Sequence, residues 1–151
     1  MRRKRKGPFP LVVGGVFILL FILFFWRLIP AFFSSSPVEV VEEFITYEQE
    51  GDFGSAWDLF HSTMQTRFSK NAYITERSHI YMSHYAVTTF TYEILDEKKL
   101  QTWKTDQKTF ENVHQVQIQQ TFHSKFGTFS ILQDVFVVKE EEEWKILWEF
   151  K

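Results

Sequence analysis

Residues 116–138, VQIQQTFHSKFGTFSILQDVFVV, decide the fold that this sequence predicts. The first part alternates apolar with polar residues, which is the period of a β-strand with one buried face. Its apolar members are Val116, Ile118 and Phe122. The strand is predicted to end at Gly127, and residues 128–139 return as its partner. The stretch therefore predicts a long antiparallel hairpin with a glycine at its turn.

The same period of two continues on both sides of this hairpin. Upstream, Phe90, Tyr92 and Ile94 alternate with two threonines and a glutamate. Downstream, the acidic run 140–143 predicts a turn into a last strand. One face of that strand would carry Trp144, Ile146, Trp148 and Phe150. The C-terminal half thus predicts an antiparallel meander.

The segment before the strands has helical periodicity instead. Ser36 as a cap, Pro37 at the first helical position and Glu39 completing a capping box predict the start of a helix. Gly51 predicts its end. The apolar stripe of this helix is Val38, Val41, Phe44 and Ile45.

Two more helices are predicted before the sheet. The second begins at Asp52, and the third is capped by Ser69. One face of the second would hold Phe53, Trp57, Phe60 and Met64. The third would carry Tyr73, Ile74, Ile80 and Tyr81. Three helices followed by an antiparallel sheet predict an α+β fold, in which the helices cover the apolar face of the sheet.

The N-terminus predicts a membrane anchor. Residues 7–26, GPFPLVVGGVFILLFILFFW, contain no charge and follow five basic residues at 2–6. About 20 apolar residues match the roughly 30 Å hydrocarbon core of a bilayer, and the basic cluster holds the short tail in the cytoplasm. The alternative is a cleaved signal peptide, whose apolar region is shorter and precedes a small-x-small cleavage site. No such site follows here, so a retained anchor is the favoured reading.

The predicted organisation is therefore a basic cytoplasmic tail over 1–6, a transmembrane signal anchor over 7–33, a linker over 34–36 and an external domain over 37–151. This makes the lipid bilayer the partner of the anchor. It also predicts a single-pass protein of the cell membrane with its C-terminal domain outside.

Charge and cysteine content exclude several classes of function. The 17 Lys and Arg include six in residues 1–33, which leaves 11 basic against 19 acidic residues, a net charge of −8, in the rest of the chain. A domain of that charge repels nucleic acid, so nucleic-acid binding is not expected. The chain has no cysteine, which excludes disulfides, thiolate metal sites and thiol nucleophiles.

The run SPVEVVEEFITYEQEGDFGSAWDLFHSTMQTRFSKNAYITE at 36–76 resembles the nuclear transport factor 2-like superfamily. The resemblance is closest to the membrane-anchored N-terminal domain of penicillin-binding transpeptidases. Two further motifs carry it, the hairpin Lys-Phe-Gly-Thr at 125–128 and the final strand Trp-Lys-Ile-Leu-Trp at 144–148. The sequence ends at Lys151, where those proteins continue into a transpeptidase domain, so transpeptidase chemistry is not expected.

The resemblance implies a cone-shaped domain of three helices on a curved antiparallel sheet, with a cavity at its mouth. The superfamily includes isomerase-like enzymes, which need an acid or base and an oxyanion donor in that cavity. Residues of suitable type are Asp58, His61, Tyr92, His114, His123 and Asp134. None forms a spacing that requires a site, so no catalytic residue is assigned.

The remaining site predictions are structural or concern a pocket. Ligand-pocket candidates are Tyr92, Trp103, His114 and Trp144. Structural roles are expected for Ser36, Gly51, Trp57, Gly127 and Trp148. No metal or cofactor is predicted, because His79 and His84 miss the helical ligand spacing of four and the acidic run 140–143 lacks the pattern of a calcium loop.

Two functions remain open from the sequence. One is a non-enzymatic interaction or accessory module of the bacterial cell envelope, which contacts another envelope protein or a wall polymer. The other is a pocket that binds a small apolar ligand or acts as an isomerase-like enzyme. The first is favoured, because a fold by itself confers no chemistry and no catalytic set is visible. The oligomeric state stays open.

Overall fold

Helices come first along the chain and strands second, which confirms the α+β class. The computed structural model describes residues 36–105 and 108–148. The helices are α1 (Pro37–Glu50), α2 (Phe53–Asp58), α3 (Ser62–Arg67), α4 (Lys70–His79) and a π-helix (Ile80–Tyr85). The four α-helices pack on a four-stranded antiparallel sheet.

The sheet is a meander with the strand order β1-β2-β3-β4. Its strands are β1 (Thr91–Lys104), β2 (Thr109–Ser124), β3 (Gly127–Glu140) and β4 (Glu143–Leu147). The predicted central hairpin is β2–β3, paired without a break from His114↔Val137 to Ser124↔Gly127. Gly127 has a φ of 123°, which explains the glycine at this turn. The β3–β4 turn is tighter than predicted, with positive φ at Glu141 and Glu142.

Helix α1 begins and ends through local hydrogen bonds. The Glu39 N–H donates to Ser36 Oγ at 3.1 Å, and the Ser36 N–H donates to the Glu39 carboxylate at 2.9 Å. Together these two bonds form a capping box. At the other end, Gly51 has a φ of 79° and its N–H donates back to the last turn.

The prediction of one continuous second helix was wrong. The chain forms two short helices, α2 and α3, separated by residues 59–61. There the His61 N–H donates to the Ile146 carbonyl, and the Ile146 N–H donates to the Leu59 carbonyl, both at 2.9 Å. The backbone of this segment therefore pairs with the edge of β4, which breaks the helix. Phe60 and Met64 are still buried, as the apolar pattern requires.

The third predicted helix also changes at its end. It is an α-helix through His79 and continues as a π-helix from Ile80. Tyr81 is buried in the core, whereas Ile80 is only half-buried. The π-helix lets Tyr81 and Tyr85 both contact the ring of Phe122, with centroids 5.9 and 5.1 Å away. Core packing of these tyrosines accounts for the wider turn.

The core covers one face of the sheet along β2, and near residues 135–138 it covers both faces. Val116, Ile118 and Phe122 are each at most 1% exposed. Residues 135–138 of β3 are all buried, although neighbours on a strand point to opposite faces. On the face that carries Phe136, Trp103 stacks on that ring with centroids 4.5 Å apart. The long strands thus enclose a second apolar layer.

The predicted anchor over 7–33 and the last aromatic residue, Phe150, lie outside the described residues. Among residues 36–105 and 108–148, no helix has the length and apolar character needed to cross a membrane.

Candidate functional site

The four predicted pocket residues lie in three different places. The hydroxyl of Tyr92 is 3.3 Å from Thr46 Oγ1 of α1. Trp103 stacks on Phe136 on the other face of the sheet. Only His114 and Trp144 are together, with ring centroids 5.1 Å apart. The structure therefore does not unite the four in one pocket.

His114 and Trp144 form a small polar cluster near the sheet surface. His114 Nδ1 lies 2.7 Å from Glu97 Oε1 on the neighbouring strand. Lys139 Nζ lies 5.3 Å from the centre of the Trp144 ring. The His114–Glu97 and Lys139–Trp144 contacts each join neighbouring strands, as is typical of cross-strand pairs that stabilise a sheet.

The other residues considered for catalysis are also separate. Asp58 pairs with Lys70 at 2.7 Å, and His61 lies on another element. His123 Nδ1 is 3.0 Å from Thr128 Oγ1 in the β2–β3 hairpin. Asp134 accepts a hydrogen bond from Gln117 at 3.2 Å. Among the described residues, no hydrogen bond or ion pair joins any two of these four side chains.

The most extensive polar cluster, which the sequence analysis missed, lies around Glu48 of α1. Glu48 is 2% exposed. Oε1 accepts from the Tyr73 hydroxyl at 2.5 Å and from Arg77 Nε at 2.6 Å. Oε2 accepts from Arg77 Nη2 at 2.5 Å and from the Tyr81 hydroxyl at 3.0 Å. We call these four residues the interior network.

Burial and charge together raise the pKa values of Tyr73, Arg77 and Tyr81 in this network. Burial, followed by repulsion from Glu48, raises the pKa of the Tyr73 and Tyr81 hydroxyls well above their ordinary value. Burial disfavours the charge of Arg77, but attraction to Glu48 and the interactions with Tyr81 and Tyr73 together outweigh it and raise the pKa of Arg77. Both tyrosines therefore remain protonated donors and the arginine remains a cation.

Aromatic rings surround the interior network. The Arg77 guanidinium lies 4.9 Å from the centre of the Trp148 ring. Trp148 is half-buried and packs against Phe44 and Phe60, with centroids 6.0 and 5.8 Å away. Tyr81 stacks with Phe53, Phe90 and Phe122. The network is thus part of the packed core between the helices and the sheet.

One buried polar atom near this region has no hydrogen-bond partner. Gln120 is 3% exposed, and its Nε2 makes no hydrogen bond. Its side chain still acts on the neighbouring Tyr81 hydroxyl, where it lowers the pKa against the larger effect of burial. An unpartnered buried amide is costly, so it suggests a site for a water or a small acceptor.

A second cluster lies at the surface between α3 and the β3–β4 turn. Glu140 accepts hydrogen bonds from the Ser62 hydroxyl and, at 3.0 Å, from the Ser62 N–H. Its Oε1 is 3.4 Å from His61 Nε2. His61 Nδ1 accepts from the Thr63 N–H at 3.0 Å, so the ring is neutral with its proton on Nε2. A cavity of about 310 Å³ borders this cluster.

Ionisation at this surface cluster also follows from its surroundings. Burial lowers the pKa of His61, although the nearby Glu140 carboxylate acts in the opposite direction. Burial raises the pKa of Glu140, but the hydrogen bonds from Ser62 and the proximity of His61 together outweigh it. The carboxylate therefore stays ionised and holds the start of α3 against the sheet.

The sequence did contain a signal for the interior network. Glu48 continues the apolar stripe of α1, since it lies seven residues after Val41 and four after Phe44. Tyr73, Arg77 and Tyr81 are spaced by four. A charged residue on a buried stripe needs a partner of opposite charge, which is the inference that the periodicity permitted.

His79 and His84, which miss the spacing of four that helical metal ligands have, nevertheless lie side by side. Their ring centroids are 4.7 Å apart, because the π-helix between them changes the angular spacing of residues. In the part of the chain that the structure describes, no group of three or more His, Cys, Asp or Glu side chains is arranged to hold a metal ion.

Comparison with known proteins adds no relative. No protein-family model matches the chain, and a search of curated proteins found no match. The function therefore has to be argued from the residues and their geometry.

Proposed function

We propose that this chain is a membrane-anchored protein whose external domain is a non-enzymatic interaction or accessory module of the bacterial cell envelope. The uncharged run 7–26 behind a basic cluster supports the anchor and its orientation. The proposed domain is a nuclear transport factor 2-like cone, in keeping with the resemblance of residues 36–76 and with helices that precede an antiparallel meander.

The proposal that the domain is not an enzyme rests on the hydrogen bonding of the Glu48 carboxylate in the interior network. A catalytic base must have a free lone pair within reach of the substrate proton. Both carboxylate oxygens of Glu48 instead accept hydrogen bonds from Tyr73, Arg77 and Tyr81, and the carboxylate is charge-paired with Arg77. Such a fully paired group in a ring-lined interior supports a role in packing.

The interaction part is supported by the exposed apolar side chains. Among the described residues, the exposed large hydrophobic side chains are Met82, Leu95, Phe126, Phe129 and Leu132. Three of these five lie in residues 126–132 of the β2–β3 hairpin, where Phe126 is 79% exposed. Exposed large apolar side chains can mark protein interaction sites, and Phe126 at the turn of the hairpin is the most exposed of these five.

Site-specific photo-crosslinking in intact cells tests the interaction. A photoreactive residue at Phe126 is expected to give a discrete adduct with an envelope component. The matched control is Thr102, an exposed position on β1. Absence of any adduct at 126, 129 and 132, or the same adducts from the control, would contradict the proposal.

Complementation of a null strain tests the absence of catalysis. Single alanine variants are made at Asp58, His61, His114 and Asp134, with Phe at Tyr92. We expect every variant that reaches the wild-type level in the membrane to rescue the null phenotype. Loss of rescue by one well-folded variant would favour an enzyme.

A second candidate, the binding of a small ligand in the interior, rests on Gln120. Its unpartnered Nε2 is a donor suited to a small acceptor such as a carbonyl. Gln120→Leu removes this donor. If the interior binds no ligand, the variant keeps full rescue and gains stability or leaves it unchanged, because an unsatisfied buried group has been removed. A variant that is stable yet inactive would support the ligand pocket.

A further inference from the structure

The π-helix brings two exposed histidines together. His79 is the last residue of α4 and His84 lies in the π-helix, five residues later. In a regular α-helix, five residues rotate the side chain by about 140° from its starting direction. With the wider π-helical turn the rotation from the start is only about 50°. The two rings accordingly approach, with centroids 4.7 Å apart and planes at 69°.

This separation fits two imidazoles on one metal ion. With nitrogen about 2.1 Å from the metal, each ring centroid lies about 3.2 Å from it. Two such rings at an N–metal–N angle between about 90° and 110° have centroids about 4.5 to 5.2 Å apart. The observed 4.7 Å falls within that range.

Core packing explains the π-helix but not the direction of the histidines. Tyr81 and Tyr85 of the π-helix pack on Phe122, and Tyr81 is buried. His79 and His84 are both exposed, as is Met82 between them. The two imidazoles therefore lie outside the buried core and are accessible to solvent.

We propose that His79 and His84 form a binding site for a divalent transition metal ion of the zinc, copper or nickel class. Imidazole nitrogen suits these ions, whereas magnesium and calcium prefer oxygen ligands. The protein supplies two ligands, and water or a ligand from a partner completes the coordination. A bound ion would join the end of α4 to the π-helix and restrain this segment.

Titration of the full chain in detergent with zinc chloride, followed by calorimetry, tests the site. Loss of a residue that only supports a metal ligand typically lowers metal affinity by about tenfold or more, and loss of the ligand itself is expected to lower it further. His79→Gln and His84→Gln should therefore each weaken zinc binding by about tenfold or more. The double variant should bind zinc at least as weakly as either single variant, because it keeps neither imidazole of the site.

His123→Gln is the matched control, since His123 is exposed on β2 and lies in the β2–β3 hairpin. It should bind zinc with wild-type affinity. Wild-type affinity in either single variant, or an equal loss in His123→Gln, would overturn the site.

A measurement on the unmodified chain does not depend on the folding of variants. One equivalent of copper(II) is added to the full chain, and electron paramagnetic resonance counts the coordinating nitrogens. We expect two equivalent imidazole nitrogens. A signal from one nitrogen, or from none, would overturn the proposal.

Discussion

Two carboxylates of this domain pair with residues on other elements, one in the interior and one nearer the surface. The Glu48 side chain is 1% exposed and its partner Arg77 is 14% exposed. The Glu140 side chain is 26% exposed, and its partner His61 is 6% exposed. Each accepts hydrogen bonds from a residue distant in the sequence, Glu48 from α4 and Glu140 from the start of α3. They differ in solvent access: water can replace a lost hydrogen bond at Glu140 but not at Glu48.

The difference teaches how burial and the charge of its partner decide what an ionised carboxylate contributes to stability, because Glu48 is paired with a cation and Glu140 with neutral groups. A buried charge left without its partner has no water to replace the lost interaction, so breaking a buried pair is strongly destabilising. A partly exposed pair is screened by solvent and its loss is moderate. Breaking the two pairs separately measures this contrast within one protein.

The largest effect is expected for Glu48→Ala. This change leaves Arg77 charged and buried, and leaves the Tyr73 and Tyr81 hydroxyls without their acceptor. We expect the free energy of unfolding to fall by about 3 to 5 kcal/mol. Urea unfolding of the full chain in detergent, followed by tryptophan fluorescence, measures the loss.

Glu42→Ala is the control, because Glu42 is exposed on the same helix. It should change the free energy of unfolding by no more than about 0.5 kcal/mol. Equal losses in the two variants would show that the interior network does not stabilise the fold as described.

The next largest effect is expected for Trp148→Ala, which removes the ring that lies over Arg77. The side chain also packs on Phe44 and Phe60, so a cavity would form beside the interior network. A loss of about 3 kcal/mol is expected, at the low end for a large aromatic residue because Trp148 is only half-buried. Thermal unfolding of the same preparation measures it.

Trp144→Ala is the matched comparison for that variant. Trp144 is also half-buried, but its ring contacts are with His114 and Lys139, whereas those of Trp148 are with Phe44 and Phe60. We expect a loss of about 1 kcal/mol. If Trp144→Ala proved the more damaging change, the contacts of Trp148 with Phe44 and Phe60 would not be the main stabilising contacts of this strand.

The contributions of His61 and Glu140 to stability can be told apart by their dependence on pH. The pKa of His61 is lowered in the folded state, so the unfolded chain takes up this proton first as the pH falls. The contribution of His61 is therefore complete above its unfolded pKa of about 6.5 and is lost as the pH falls below it. The pKa of Glu140 is also lowered in the folded state. Its contribution to the free energy of unfolding is therefore complete above its unfolded pKa near 4.5 and is lost as the pH falls below that value.

Urea unfolding at pH 7.5 and pH 5.5 checks the histidine contribution. Wild-type protein should lose more stability between these two values than His61→Gln does, because the variant has no group to protonate at this position. His123→Gln, which removes a histidine at an exposed position, is the matched control and should retain the wild-type pH dependence. Identical profiles for the wild type and His61→Gln would contradict this assignment.

The smallest effect is expected for Asp58→Asn. The Asp58 and Lys70 side chains are 59% and 40% exposed, and their atoms meet at 2.7 Å. A pair as exposed as this one contributes about 0 to 1 kcal/mol. Moderate salt should abolish even that difference, which urea unfolding at two salt concentrations can measure.

Local sequence determined the elements whose signals lie within a few residues. The period of two between 116 and 138 predicted the central hairpin, and Gly127 predicted its turn. The serine, proline and glutamate at 36, 37 and 39 predicted the start of α1. Period and capping are properties of neighbouring residues, so they need no knowledge of the rest of the chain.

Tertiary structure alone decided the features that depend on distant partners. The break between α2 and α3 exists because the backbone around Phe60 pairs with Ile146, more than 80 residues away. The pairing of Glu48 with Arg77 and the approach of His79 to His84 depend on how α4 packs and where it becomes a π-helix. A periodic pattern specifies which face of an element is buried, but only packing decides what that face meets, because one apolar surface can bury itself against many others.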